Sequence, residues 1–137
     1  MTTNITNKNY RSHFRQKDRR RPHDRRKALK YGFFAEILSA VFLLIKGWKI
    51  IAIRHRNHFG EIDIIARRKD LVIFVEVKAR KSFQEAVDSI SYNSRKRIHA
   101  ASKAWLTKQI NSHRLSYRYD IIAVVPWRLP THFPNAF

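Results

Sequence analysis

The sequence contains no cysteine, which excludes disulfide bridges, zinc sites with thiolate ligands and cysteine nucleophiles. Glycine is also scarce, with only 3 residues, and neither a phosphate-binding loop nor a dinucleotide-binding glycine motif occurs. No Ser-His-Asp arrangement is recognisable. A chain without cysteine fits a reducing compartment, so we expect a cytoplasmic protein.

Acidic residues are few: 10 Asp and Glu stand against 29 Lys and Arg, which gives a formal charge of +19. Such an excess attracts polyanions. Nucleic acid is the commonest partner of this kind, because each phosphate that is neutralised releases counterions. An anionic membrane surface is the competing explanation.

The sequence also lacks a long hydrophobic run. The longest, from Phe33 to Ile45, is interrupted by Glu36 and is shorter than the ~20 residues that a membrane-spanning helix needs. It lies behind a long charged segment, which is not the position of a secretory signal. We therefore expect no membrane span, and a buried amphipathic helix instead.

Composition divides the chain into three parts. Residues 1–27 are predicted to be a disordered basic arm, because they contain almost no aliphatic residues. This arm either contacts phosphates or is a solvated tail. Residues 28–125 are predicted to form one domain, and residues 126–137, which hold three of the four prolines, an irregular tail.

The domain has the pattern of an α/β protein with the order α-β-β-β-α-β. Leu29, Phe33, Ala40, Leu43 and Leu44 recur at helical spacing. Residues 67–70 are polar and short enough for a hairpin loop in which Ala66 pairs with Leu71. The predicted elements are a helix at 29–46, strands at 48–53, 61–66 and 71–78, an irregular connection at 82–93, a helix at 94–110 and a strand at 119–125.

Two carboxylates lie in the middle of apolar strands. Asp63 and Glu76 each have hydrophobic neighbours, and an unpaired ionised carboxylate there is strongly penalised by lost solvation. Because side chains alternate along a strand, Glu76 and Lys78 share one face. The expected hairpin places Asp63 opposite Phe74, and therefore on that same face. Glu36, beside the apolar stripe of the first helix, is a candidate fourth member.

Carboxylate oxygens are hard ligands that suit Mg²⁺ or Mn²⁺. Such an ion polarises a phosphodiester and generates hydroxide from bound water, and a nearby lysine stabilises the developing negative charge. These parts are what phosphodiester hydrolysis requires. The alternative is a structural ion pair between the acids and Lys78 or an arginine.

The segment 60–63, Gly-Glu-Ile-Asp, followed by 75–80, Val-Glu-Val-Lys-Ala-Arg, resembles the YraN family of bacterial proteins. That family is similar to archaeal Holliday-junction resolvases and belongs with the PD-(D/E)xK nuclease superfamily. The resemblance covers about Lys30 to Val125. It implies a restriction-endonuclease-like α-β-β-β-α-β core with a mixed central sheet flanked by helices.

The resemblance also implies roles for single residues. Asp63 and Glu76 would be metal ligands with Glu36 as a supporting acid and further ligand, Lys78 would be the catalytic lysine, and the ion would be Mg²⁺ or Mn²⁺. Two positions depart from the family pattern. Ser94 stands where members often have Lys or Gln, and Ala35 where the residue is usually Gly.

Several basic residues are candidate contacts for nucleic acid, and a solvated surface explains them equally well. They lie on the first strand, after the third strand and on the second helix: Arg54, Arg56, Arg80, Arg95 and Lys96, with Arg97 next to them on that helix. Two histidines near the first strand do not have a recognised zinc spacing. The three tryptophans, Trp48, Trp105 and Trp127, are expected in the core or in an interface.

The leading hypothesis is a metal-dependent endonuclease that acts on structured or branched DNA. The alternatives are a non-catalytic protein that binds nucleic acid with the nuclease fold, and a basic protein of the membrane surface. Similarity to resolvases favours a homodimer, because paired nicks need two active sites.

Overall fold

The computed structural model describes residues 21–137; most of the expected basic arm therefore lies outside the described residues. The helices are α1 (Pro22–Ile45), α2 (Phe83–Asp88) and α3 (Tyr92–Thr107), with a short 3-10 turn at Ser112–Arg114. The strands are β1 (Lys49–Asn57), β2 (Gly60–Arg68), β3 (Leu71–Ala79), β4 (Ser116–Val124) and β5 (Thr131–Phe133).

Helix α1 begins at Pro22 rather than at Leu29, so part of the segment expected to be disordered is helical. Proline suits the first helical position, because an N–H there would have no acceptor within the helix. The negative charge of Asp24 in the first turn interacts favourably with the positive end of the helix dipole. The helix ends before Gly47, whose φ of +86° turns the chain into β1.

The buried stripe of α1 differs from the one expected. Ala35, Ser39, Ala40 and Leu43 pack on the sheet together with Glu36, whereas Leu29, Phe33 and Leu44 are exposed. Within residues 21–137, α1 alone is long and apolar enough to cross a bilayer by length and composition, and 28% of that apolar window is buried. One such helix is weak evidence for a membrane span, because core helices of soluble proteins and signal sequences pass the same test.

The sheet is mixed, in the order β1-β2-β3-β4-β5. Strands β3 and β4 run parallel, and the chain between them crosses over through α2 and α3, as a parallel pair requires. Every other neighbouring pair is antiparallel. Helix α1 covers one face, around Leu43 and Val75, and α3 covers the other, around Phe74 and Trp105. This arrangement confirms the predicted α/β class with a mixed central sheet flanked by helices.

The register of the β2–β3 hairpin was predicted wrongly by two residues. Leu71 pairs with Arg68 rather than with Ala66, and only Lys69 and Asp70 form the turn. A shift by an even number of residues leaves the faces of both strands unchanged. The side of the sheet assigned to each acidic residue is therefore unaffected.

The C-terminal segment is not wholly irregular as predicted, because Thr131–Phe133 adds the fifth strand. The fully buried carboxylate of Asp120 holds this segment against β4. Asp120 on β4 accepts hydrogen bonds from Arg118 Nε at 2.9 Å, from the backbone N–H of Asn135 at 2.8 Å and from His132 Nε2, which lies 2.7 Å away. Although burial acts to raise the pKa of Asp120, these hydrogen bonds hold it below its ordinary value.

Candidate active site

Strands β2 and β3 stop exchanging backbone hydrogen bonds beside Asp63. Their last paired residues are Ile64 and Val75. One step further along, the Asp63 carboxylate accepts a hydrogen bond from the backbone N–H of Val77 at 2.8 Å. A side chain thus takes the place of a ladder carbonyl, and this holds the carboxylate in the opening between the two strands, next to Glu76.

The charge on Asp63 is strongly disfavoured in this position. Burial, reinforced by the negative charges of Glu76 and Glu36, raises the pKa of Asp63 from 3.8 to about 8. The hydrogen bond from Val77 and the positive charge of Lys78 act in the other direction without restoring the ordinary value. The ionised form of Asp63 is therefore disfavoured, chiefly because the side chain is buried.

Glu76 and Lys78 lie on one side of β3, as strand alternation predicts. Lys78 Nζ is 2.8 Å from Glu76 Oε1, and the two side chains are only 17% and 13% exposed. This short ion pair confines the ammonium group next to the acidic residues. It agrees with either a catalytic or a structural role.

Asp63 and Glu76 line one cleft of about 210 Å³ between the sheet and α3. The residues that complete its wall come from the start of β2 and from the first half of α3: Gly60, Glu61, Ser94, Arg97 and Ile98. The cleft is too small for a nucleic-acid strand but adequate for an ion, its waters and a phosphate oxygen.

For Arg97, as for Arg95 and Lys96, the sequence left open a groove contact or a solvated helix face. Arg97 follows Ser94 by three residues and precedes the buried Ile98, so the spacing along α3 places it at the edge of the core-facing side. A Cβ on Gly60 would lie 3.3 Å from the Cβ of Arg97, which shows how closely α3 approaches β2 here. Arg97 supplies a positive charge at the cleft where Ser94 supplies none.

Glu36 is occupied by another partner. Arg54 of β1 donates two hydrogen bonds to it, at 2.5 Å from Nε and 3.2 Å from Nη2, and this pairing raises the pKa of Arg54 although burial opposes it. Glu36 lines a neighbouring pocket of about 270 Å³ with Lys78. Within residues 21–137, no group of three or more Asp, Glu, His or Cys side chains is arranged to hold a metal ion.

The other proposed contacts for nucleic acid are spread around these pockets. Arg56 pairs with Glu61 at 2.6 Å on the exposed surface of the β1–β2 hairpin. Arg80 is exposed and lines the pocket that contains Glu36 and Lys78. Arg95 and Lys96 do not line the acidic cleft; they lie over the rings of Phe137 and Tyr92, at 6.0 and 5.6 Å.

Fold and site together define a small α/β protein whose five-stranded mixed sheet agrees with a restriction-endonuclease-like core. Residues 35–124 match the model of the family described as "Uncharacterised protein family UPF0102". A UPF0102 protein of Rhizobium leguminosarum bv. trifolii is 58% identical over 113 residues, which cover 82% of this chain and 93% of the relative. A UPF0102 protein of Rhizobium meliloti is 55% identical over 118 residues, covering 85% and 97%.

The chain therefore belongs to the UPF0102 family, and the resemblance to the YraN family is confirmed. The matched region begins at Ala35 and ends at Val124, and so contains all four acidic and basic residues proposed for the site.

Proposed function

We propose that this protein is a divalent-metal-dependent nuclease that hydrolyses phosphodiester bonds, with structured or branched DNA as its substrate. The observation that carries the proposal is the position of Asp63. Its carboxylate is fixed by the N–H of Val77 at the point where β2 and β3 separate, beside the ion pair of Glu76 with Lys78. Burial and the charge of Glu76 raise the pKa of Asp63, and a cation bound at this position would stabilise the ionised form.

The residues present fit a magnesium or manganese ion. Mg²⁺ keeps several waters and is commonly bound through one or two carboxylates together with substrate phosphates. Asp63 and Glu76 are two such carboxylates at one cleft, and Glu36 would reach the ion only after leaving Arg54. When bound, the ion would polarise the phosphodiester and lower the pKa of a bound water.

The chain's own residues have separable roles in this proposal. Asp63 and Glu76 would hold the cation at the cleft that they line. Lys78, kept 2.8 Å from Glu76, is positioned to orient the attacking water and to stabilise the added negative charge on the phosphate. Arg97, at the same cleft, is positioned for a phosphate oxygen next to the scissile bond.

A nucleic-acid substrate is supported by the charge of +19, which favours polyanions over neutral substrates. Structured or branched DNA, and a homodimer that makes paired nicks, are supported by the similarity of the family to resolvases. Cytoplasmic location is proposed because a chain without cysteine fits a reducing compartment.

A second candidate function, binding of nucleic acid without catalysis, is favoured by one observation. The bidentate pair of Arg54 with Glu36 satisfies the acid that would complete the metal site, and leaves two carboxylates instead of three. Such a protein would bind DNA in a salt-dependent manner, with or without a divalent ion.

The two candidates are separated by incubating the full chain with branched and linear DNA in Mg²⁺ or Mn²⁺. The nuclease proposal expects cleavage that is lost in Asp63→Asn and in Glu76→Gln. Asp70→Asn is the matched control, because Asp70 is an exposed acid in the β2–β3 turn and its change alters the net charge equally. Unchanged cleavage by Asp63→Asn would refute the proposed site.

A further inference from the structure

A groove larger than the acidic cleft and its neighbouring pocket lies on the α1 side of the sheet. Its volume is about 870 Å³, which is within the range of ligand-binding sites, and its lining is mainly apolar. Tyr31 and Phe34 of α1 form one wall and Trp127, from the loop between β4 and β5, belongs to the other. All three rings are solvent-accessible, with Tyr31 46% and Phe34 59% exposed.

Trp127 is held out in solvent by a tight turn. The N–H of Arg128 donates to the carbonyl of Val125 at 3.3 Å, Pro126 occupies the first central position, and Trp127 occupies the second with a φ of +63°. That position normally takes glycine or asparagine, because a side chain there is strained. Of the two places expected for the tryptophans, the core holds Trp48 and Trp105, whereas the side chain of Trp127 is fully exposed.

Positive charge borders the aromatic rings. Arg80, Lys81 and Arg128 line the groove and are exposed, against a single carboxylate, Glu85. Within residues 21–137, these three cations form no ion pair. An apolar floor with cationic edges complements a strand whose flat bases alternate with phosphates.

The groove adjoins the pocket of Lys78 and Glu36 at the edge of the candidate active site, and it shares no lining residue with the cleft of Asp63 and Glu76. Tyr31, Ala79 and Arg80 line both the groove and the pocket that contains Lys78 and Glu36. Ala79, the last residue of β3, and Arg80 directly follow Lys78 in the chain, so a DNA strand that leaves Lys78 along this surface meets the groove next.

We propose that this groove binds an unpaired segment of a DNA strand adjacent to the scissile phosphate, with a base stacked on Trp127 and phosphates held by Arg80, Lys81 and Arg128. The inference rests on the proposed function and deepens it, because it names single-stranded character next to the cleavage site as the feature recognised. A second copy of the chain or a lipid acyl chain would use the apolar rings but would bring no phosphate to Arg80, Lys81 and Arg128, which form no ion pair within residues 21–137.

The test measures binding of the full chain, without metal, to an oligodeoxythymidylate and to an abasic oligomer of equal length. Trp127→Gly is the informative variant, because glycine suits the positive φ and the substitution is expected to keep or raise the melting temperature. Leu129→Ala is the matched control, since Leu129 is an exposed apolar residue of the same loop that does not line the groove.

We expect Trp127→Gly to weaken binding of oligodeoxythymidylate roughly tenfold, in line with the loss of one base–aromatic stack, and to leave binding of the abasic oligomer unchanged. Leu129→Ala should bind both oligomers as the wild type does. Quenching of tryptophan fluorescence by oligodeoxythymidylate should disappear in Trp127→Gly, because the two remaining indoles are buried.

Equal binding of the two oligomers by the wild type, or unchanged binding by Trp127→Gly, would overturn the inference. So would a Trp127-dependent association with itself or with lipid vesicles in place of binding to the oligomer. Cleavage of branched DNA in Mg²⁺ reports on the proposed function independently. If cleavage persists while Trp127→Gly binds normally, this inference alone fails; if stacking is confirmed without cleavage, the nuclease proposal alone fails.

Discussion

The carboxylate of Asp63 and the backbone N–H of Val77 are joined by a 2.8 Å hydrogen bond where β2 and β3 separate. This contact fixes an acidic side chain between two strands and beside a second acid, Glu76. It spreads the strands without leaving the N–H of Val77 unsatisfied. A backbone hydrogen bond thereby fixes, at the edge of the β2–β3 pairing, a carboxylate whose ionised form is disfavoured.

Asp63 should make the stability of the metal-free protein fall as the pH rises. Its pKa is about 8 in the folded protein and near 3.8 when unfolded. Between these values the folded state binds a proton that the unfolded state has lost, so the free energy of unfolding decreases with pH over that window. Urea unfolding in buffer with a chelator, at a series of pH values below and above pH 8, measures how the free energy of unfolding changes with pH.

The variant Asp63→Asn resembles the protonated acid and should lose this slope, becoming more stable than the wild type above pH 8. Asp70→Asn should retain the slope, because Asp70 is exposed. A wild-type stability that rises steadily through the same window would contradict the predicted environment of Asp63.

Divalent cations should stabilise the folded protein through Asp63 and Glu76. A ligand that binds only the folded state raises the free energy of unfolding by about 2.7 kcal/mol at a hundredfold excess over its dissociation constant. We expect Mg²⁺ or Mn²⁺ to raise the melting temperature of the wild type and of Asp70→Asn, but not that of Asp63→Asn or Glu76→Gln. An equal shift in all four proteins would indicate unspecific binding of the ion.

Arg54 should limit the affinity for the cation, because it neutralises Glu36. Arg54→Gln removes one positive charge and releases a carboxylate whose charge already acts on Asp63. We expect the dissociation constant for Mn²⁺, measured by calorimetry, to fall by a factor of roughly three to ten, corresponding to ~1 kcal/mol for a partly exposed charge pair. Weaker binding in Arg54→Gln would show that Arg54 supports the site.

Asp120 should be a principal source of stability in the C-terminal part of the sheet. Breaking a buried ion pair by removing one partner costs ~3–5 kcal/mol, so Asp120→Asn should lower the free energy of unfolding by about that amount. Because the folded-state pKa lies below the ordinary 3.8, the stabilisation holds at neutral pH and is lost as the pH falls through that depressed value. Denaturant unfolding of Asp120→Asn at neutral pH, against Asp70→Asn, measures the loss.

Hydrophobic patterning was sufficient to predict the order of the main helices and strands, but not the buried face of α1, which carries apolar residues on its exposed side as well. The hairpin register was not predictable, because its two-residue turn contains Lys69 with a φ of +55°, instead of the glycine or asparagine that marks such turns. The fifth strand depends on the contacts of Asp120 with His132 and Asn135, which are distant in sequence and carry no local signal.

The candidate site shows the same division. Alternation along β3 was enough to place Glu76 and Lys78 together, and an even register error did not separate Asp63 from them. The pairing of Glu36 with Arg54 joins residues from a helix and a strand, and depends on side-chain directions that sequence does not encode locally. The position of Arg97 could have been derived from its spacing to Ser94 and Ile98 on α3.

A crystal of the full chain grown with Mn²⁺ provides the most direct measurement, because the anomalous signal locates the ion. We expect one peak in the cleft, at about 2.0–2.2 Å from a carboxylate oxygen of Asp63 and one of Glu76, as hard oxygen ligands require. A map with no peak between them, while Asp63 remains bonded only to Val77 and Glu76 only to Lys78, would contradict a metal-dependent site.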